Sequence, residues 1–208
     1  AYQNVHIIVN DSVEIFSDLL NYDGNMRFAE FHDNVRLRDD STTLYTEYLT
    51  YDRNLHLASY PDSATTVRGD KTLKSHYGYY RDRLKEFSFF ENVEVYSPKY
   101  QMYTDTLFYN TDIEKMWFEG PTTIINKENV LEGKHGYYLV NEDHVYLDKR
   151  PFMHNETQLM WSDSIFYDRN LGLAQAYSQV DMIDTSYKVV MRGDYVEMWE
   201  NRGFSYAT

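Results

Sequence analysis

The residue types that could do chemistry in this chain are scattered rather than assembled. Seven histidines stand at His6, His32, His56, His76, His135, His144 and His154, with no HExxH and no other close metal-ligand spacing. His76 and His135 fall in near-equivalent positions of a repeat set out below, and two polar residues at a strand edge explain them better than a metal pair. A column of acids, Asp18, Glu47, Asp105 and Asp163, invites a calcium ladder, which needs clustered oxygen ligands. His76 and Lys134 interrupt the column, so its expected role is structural: a carboxylate near a bend accepts backbone N–H bonds. The 33 acidic residues guarantee chance carboxylate pairs, so no glycosidase dyad is read from them. No cysteine is present, which removes thiol catalysis, disulfides and iron–sulfur clusters. No glycine-rich phosphate loop occurs, and the sequons at Asn10 and Asn155 are too cheap to carry weight. We therefore expect no enzyme, no metal and no cofactor.

Two chemical groupings remain. Arg68, Lys71, Lys74, Arg81, Arg83 and Lys85 form a basic stretch in a chain of net charge −13. They could meet lipid phosphates through charge-assisted hydrogen bonds, or they are an ordinary solvated face that suppresses edge pairing. The overall acidity argues against nucleic acid as a partner. The second grouping is apolar. Leu20, Tyr22, Leu49, Tyr51, Leu107, Tyr109, Tyr138, Ile165 and Tyr167 recur in phase and would stack as ladders. Those ladders are either the core of a filled sandwich or the lining of an apolar groove.

The elements that position them follow from an internal repeat. Tyr22, Tyr51, Tyr80, Tyr109, Tyr138 and Tyr167 stand 29 residues apart without an insertion. Their flanks agree: Ile15, Leu44, Leu73, Met102, Leu131 and Met160 lie seven before, and Ser17, Thr46, Ser75, Thr104, Gly133 and Ser162 five before. The units at Gly78 and Gly136 are degenerate. Runs such as Leu44–Tyr51 and Leu55–Tyr60 flank Asp52-Arg53-Asn54, which reads as a hairpin with a three-residue loop. Asn25, Asn54, Asn141 and Asn170 sit where a left-handed residue is wanted. Apolar parity changes once within each strand, as a bulge or bend would require. The expected fold is all-β: elongated, antiparallel and folded over, a jelly roll of two-strand repeats. A parallel β-helix is the alternative. We read residues 1–208 as one repeat-built domain or a segment of a longer array. No 18-residue apolar run is present.

The recurring motif stands as Ser17-Asp18 with Tyr22-Asp23, Thr104-Asp105 with Tyr109-Asn110, and Ser162-Asp163 with Tyr167-Asp168. With Asn34-Val35, Asn92-Val93 and Phe118-Glu119-Gly120-Pro121-Thr122, it resembles the OstA-like (LptA-like) family of lipopolysaccharide-transport proteins. The resemblance implies a V-shaped, semi-open β-jelly roll in the periplasm. It implies that lipopolysaccharide acyl chains ride in an apolar groove between the inner and outer membranes. It also implies end-to-end docking with related jelly-roll proteins, or self-association. Two other functions fit the residues: a structural scaffold that pairs edge to edge, and a carbohydrate-binding β-solenoid using exposed Tyr and Trp.

Overall fold

The computed structural model describes residues 2–9, 12–126, 129–199 and 204–208. Asn10 of the first sequon lies outside them. The chain is all-β, and every strand pairing described is antiparallel, which sets the parallel β-helix aside. It divides into two compact units, Ala1–Pro98 with Thr106–Asp112, and Lys99–Asp105 with Ile113–Thr208.

In the first unit the strands are β1 (Tyr2–Ile8), β2 (Val13–Asp23), β3 (Phe28–Asp39), β4 (Thr42–Asp52), β5 (Leu57–Tyr60), β6 (Ala64–Arg68), β7 (Lys71–Ser75), β8 (Tyr77–Arg81) and β9 (Glu86–Tyr96). Strand β10 (Gln101–Asn110) contributes to both units. The second unit continues with β11 (Lys115–Ile125), β12 (Val130–Leu139), β13 (His144–Asp148), β14 (Phe152–His154), β15 (Gln158–Trp161), β16 (Ser164–Asp168), β17 (Leu173–Asp184), β18 (Val189–Trp199) and β19 (Phe204–Ala207). The short pairs β5/β6, β7/β8, β13/β14 and β15/β16 are single crossings interrupted at a bend. Strand β4 shows this by pairing with β5 at one end and β6 at the other.

Each crossing folds over at its middle. In β4, Leu44 and Thr46 are buried, then Leu49 and Tyr51, so the inward face changes parity between Thr46 and Leu49. The partner strand supplies the matching irregularity. In β3 the register slips between His32 and Val35, where Asp33 and Asn34 both have positive φ. The same left-handed device returns at Glu91-Asn92, Gly120, Lys149-Arg150 and Ser178-Gln179, in phase with the 29-residue repeat. A bulge of this kind bends the strand and re-aims its side chains. Within each unit the sheet thereby becomes two layers with an apolar interior between them.

Polar side chains at the bend also bond backbone carbonyls two residues on. The Ser17 hydroxyl donates to the Leu19 carbonyl at 3.0 Å and the Ser162 hydroxyl to the Ser164 carbonyl at 2.8 Å. The acidic column lies across the bend from the left-handed pair. Glu47 accepts the Asn34 backbone N–H at 3.3 Å, and Asp18 accepts the Asn34 side-chain amide at 2.7 Å.

The tight ends differ from the expected three-residue loops. Asp23 pairs with Phe28 and Asp52 with Leu57, leaving four residues between. The left-handed residue is not Asn25 or Asn54 but the one two positions later, Arg27 and His56, followed by Lys85, Glu114, Asp143 and Gly172. The Asp ending the strand explains the longer loop. Asp23 accepts the N–H of Asn25 and Met26, and Asp52 that of Asn54 and Leu55, so both carboxylates stabilise the turn. The Asn54 side chain reaches the preceding loop, donating to the Met26 carbonyl at 3.0 Å.

The degenerate units are size compensation. Gly78 lies between Tyr60 and Phe89 in register, and Gly136 between Phe118 and Leu147. A Cβ on Gly78 would fall 2.3 Å from the Ser88 carbonyl oxygen and the Tyr60 hydroxyl, and one on Gly136 2.2 Å from the Tyr146 carbonyl oxygen. Where the neighbours carry large rings, the ladder has no room for Leu.

Candidate lipid-binding interior

The apolar columns face inward between the two layers. Leu49, Tyr51, Leu107, Tyr109, Tyr138, Ile165 and Tyr167 are all buried. Their neighbours fill the space: Leu49 lies opposite Phe31, itself buried, and Tyr80 stacks on Phe87 at 4.1 Å. Leu20 is half-buried and Tyr22 is 54% exposed. Of the nine groove candidates, the structure thus leaves two accessible, both on β2.

The tips of the two layers are laced together by polar groups within each unit. In the first, the Lys85 ammonium lies 2.7 and 2.8 Å from the two Asp39 carboxylate oxygens, 2.8 Å from the Ser12 hydroxyl and 3.6 Å from Asp40. The Tyr80 hydroxyl also donates to Asp39, which is 3% exposed. Burial opposes the Lys85 charge, but the Asp39 hydrogen bond and charge outweigh it and raise the ammonium pKa above its ordinary value. Arg68 donates to the hydroxyls of Ser41 and Thr42 and to the Thr111 carbonyl at 3.1 Å. Beside this seam, the Tyr51 hydroxyl donates to buried Asp82 at 2.5 Å, with His56 Nδ1 3.2 Å from the other oxygen. Burial, reinforced by Asp82, pushes the Tyr51 phenol well above its ordinary pKa.

The second unit repeats the device with different residues. Asp143 accepts the Tyr138 hydroxyl at 2.5 Å and Lys99 at 2.9 Å, and Arg169 lies 3.6 Å away. Burial would raise the Asp143 carboxyl, but these bonds and charges prevail and lower its pKa. The side-chain amides of Asn126 and Asn129 both reach the Tyr167 hydroxyl at 3.3 Å.

The basic stretch is therefore largely occupied. Arg68 and Lys85 hold the seam. Arg81 pairs with Glu86 at 3.1 Å and lies over the Tyr79 ring. The Lys74 ammonium lies 5.8 Å from the Tyr96 ring centroid, and Lys71 is 3.9 Å from Asp70. Arg83 is exposed in a short 3-10 turn, Asp82–Leu84.

Near the first strands the two layers leave a cleft of about 290 Å³. Ile7, Ile8 and Val9 line one side; Leu20, Tyr22, Ala29, Phe31 and Tyr51 line the other. Arg27 and Arg53 stand at its rim. Successive hairpin loops stack here, with the Arg53 N–H donating to the Arg27 carbonyl at 3.1 Å. Sequence reasoning placed Leu20 and Tyr22 in an apolar lining but missed both arginines. They sit in turns whose left-handed column mixes Arg, His, Lys, Glu, Asp and Gly, and so offers no residue-type signal.

The OstA-like family profile matches residues 1–105. The chain belongs to the OstA-like family. Among curated proteins none matches the sequence. Among solved structures, this OstA-like chain is matched by LptH of Pseudomonas aeruginosa, the LptA-homologous periplasmic component of its lipopolysaccharide transport device. Identity is 13%, coverage 87% of this chain and 81% of that one, and the TM-score 0.22. In the described residues no helix is long and apolar enough to cross a membrane.

The second unit of the OstA-like chain also carries solvent-side aromatics. Trp117, Tyr137, Tyr146 and Phe166 are neighbours in register. The rings of Tyr137 and Tyr146 stack at 5.2 Å with an interplanar angle of 24°, and the Lys115 ammonium is 4.2 Å from the Tyr137 centroid. These ring faces are turned to neighbours, whereas a sugar-stacking platform needs faces turned outward.

Proposed function

We propose that this protein is a non-enzymatic lipid carrier that binds lipopolysaccharide, through the acyl chains of its lipid A, in passage between inner and outer membranes. The observation that carries the reading is the apolar cleft at the first strands, which Leu20 and Tyr22 line. Membership of the OstA-like family supports the same reading. Burial of acyl chains supplies about 0.8 kcal/mol per CH₂, so useful affinity needs no catalytic group. With a net charge of −13, long-range attraction to an anionic lipid does not help, and apolar contact must dominate within a Debye length of about 8–10 Å.

On this reading the protein works in the periplasm, and residues 1–208 act as one repeat-built array. Its exposed strand edges would dock end to end with related jelly-roll proteins or with further copies. An edge strand offers unpaired backbone groups as a template for such addition.

Native mass spectrometry with and without added lipopolysaccharide tests the carrier reading. A saturable lipid-bound mass, weakened by Leu20→Ala and Tyr22→Ala, supports it. A protein that stays lipid-free while forming protein–protein adducts would replace it with an edge-pairing scaffold.

A further inference from the structure

The rim of the cleft differs from its walls. Arg27 and Arg53 come from consecutive hairpin loops, both are exposed, and both line the apolar cleft. Neither guanidinium makes an ion pair among the described residues. The nearest acids in the same loops are engaged: Asp23 and Asp52 accept turn N–H groups at 2.8 to 3.1 Å. This contrasts with Arg68 and Lys85, whose donors are held by the seam. Two uncommitted guanidiniums beside an apolar cleft therefore stand out in a strongly acidic protein. Arginine presents a planar fork of donors that matches carboxylate and phosphate oxygens.

We infer that Arg27 and Arg53 form a headgroup subsite selecting amphiphiles with an acidic head, carboxylate or phosphate, while the apolar cleft holds the chain. The inference rests on the lipid-carrier reading and adds head selectivity to it. The register of the loops keeps the arrangement. The Arg53 N–H to Arg27 carbonyl bond fixes the two backbones together, and each side chain leaves from the layer that carries Tyr22 and Tyr51. A single alkyl chain entering between Ile8 and Tyr22 would bring its polar end to that rim.

The test uses three probes of equal chain length, decanol, decanoate and decyl phosphate, titrated calorimetrically below their micelle concentrations at pH 8. Inorganic phosphate serves as a chain-free control. Both acids should bind at least about tenfold more tightly than decanol, as charge-assisted hydrogen bonds imply. The Arg27→Gln/Arg53→Gln protein should lose that margin while keeping its decanol affinity, and inorganic phosphate alone should bind weakly. The ratio of decyl phosphate to decanoate then tells which acidic head the fork prefers. Equal binding of all three probes by the unsubstituted protein would overturn the headgroup subsite and leave the carrier reading standing. Binding of none of them would overturn both. An acid margin that survives the double substitution would also overturn the subsite. Both arginines are exposed loop residues, and unchanged unfolding curves for the double variant keep the comparison one of binding.

Discussion

Truncating Leu49 and truncating Leu20 should have opposite signatures, because the same repeat position is filled in one unit and accessible in the other. Leu49 is 0% exposed and faces Phe31, also buried. Leu49→Ala removes buried methyl groups and leaves a cavity that rigid flanking strands close poorly. The cost is about 2–5 kcal/mol. With a urea m-value of about 2 kcal/mol/M, the midpoint should fall by about 1–2.5 M at unchanged m. Leu20 is half-buried beside the cleft, and its truncation should cost less than about 1 kcal/mol. Lipid binding should respond the other way: weakened by Leu20→Ala, unaltered by Leu49→Ala when measured under conditions where both proteins are fully folded. Urea unfolding followed by far-ultraviolet circular dichroism, paired with lipid titration, measures both quantities. A midpoint shift under about 0.3 M for Leu49→Ala, accompanied by lost lipid binding, would refute a filled interior at that position. The groove would then extend past Leu20 and Tyr22 to Leu49.

Three further outcomes follow from the same packing. Lys85→Met leaves Asp39 buried without its cation and should cost about 3–5 kcal/mol in chemical unfolding, much of it recovered by adding Asp39→Asn. The raised Lys85 pKa sets the sign of its pH dependence: its contribution is full below the ordinary lysine value and is lost as pH rises through the raised one. Asp143, whose pKa is lowered, contributes above the ordinary carboxyl value and loses that contribution as pH falls through the lowered one, so Asp143→Asn should flatten the acid limb of a stability–pH curve. Gly136→Ala should cost at least about 1–3 kcal/mol in thermal or urea unfolding, because its Cβ would meet the Tyr146 backbone oxygen rather than a movable side chain.

Much of this fold is legible in the sequence because its repeat is nearly free of insertions. The Tyr column, the Ser/Thr column and the parity change between Thr46 and Leu49 all locate the bend, and the bend follows from local alternation alone. The left-handed column two residues beyond Asn25 and Asn54 was not legible. Asp23 and Asp52 stabilise the turn with their side chains, and the strained position then accepts Arg27, His56 or Lys85 alike. The seam was not legible either. Lys85 and Asp39 are 46 residues apart, and they meet only because the sheet folds over and brings its far tips together. A run of cations that reads as a phosphate-binding stretch thus contributes two of its members to an internal lock. Conversely, Arg27 and Arg53 carried no pattern, since their importance comes from the cleft beside them.

The seam also decides which ligands the interior admits. In the first unit the layers are held at their tips by Lys85 with Asp39 and by Arg68 with the Thr111 carbonyl, while the cleft at Ile7–Val9 lies beyond these ties. A cleft of about 290 Å³ is at the small end of ligand pockets, about 300–1,000 Å³. It suits one alkyl chain rather than a multi-chain lipid, so deeper entry requires the tips to part. Arg68→Gln weakens one tie by removing the guanidinium that bonds the Ser41 and Thr42 hydroxyls and the Thr111 carbonyl. The variant should therefore bind decanoate within about twofold of the unsubstituted protein. It should take up lipopolysaccharide several-fold more readily, because less free energy is spent separating the layers. Native mass spectra of both proteins across a lipopolysaccharide titration give the comparison directly. Unchanged lipopolysaccharide uptake in Arg68→Gln would mean that this tie does not limit entry, and the multi-chain lipid would then have to sit against the cleft and the strand edges rather than between the layers.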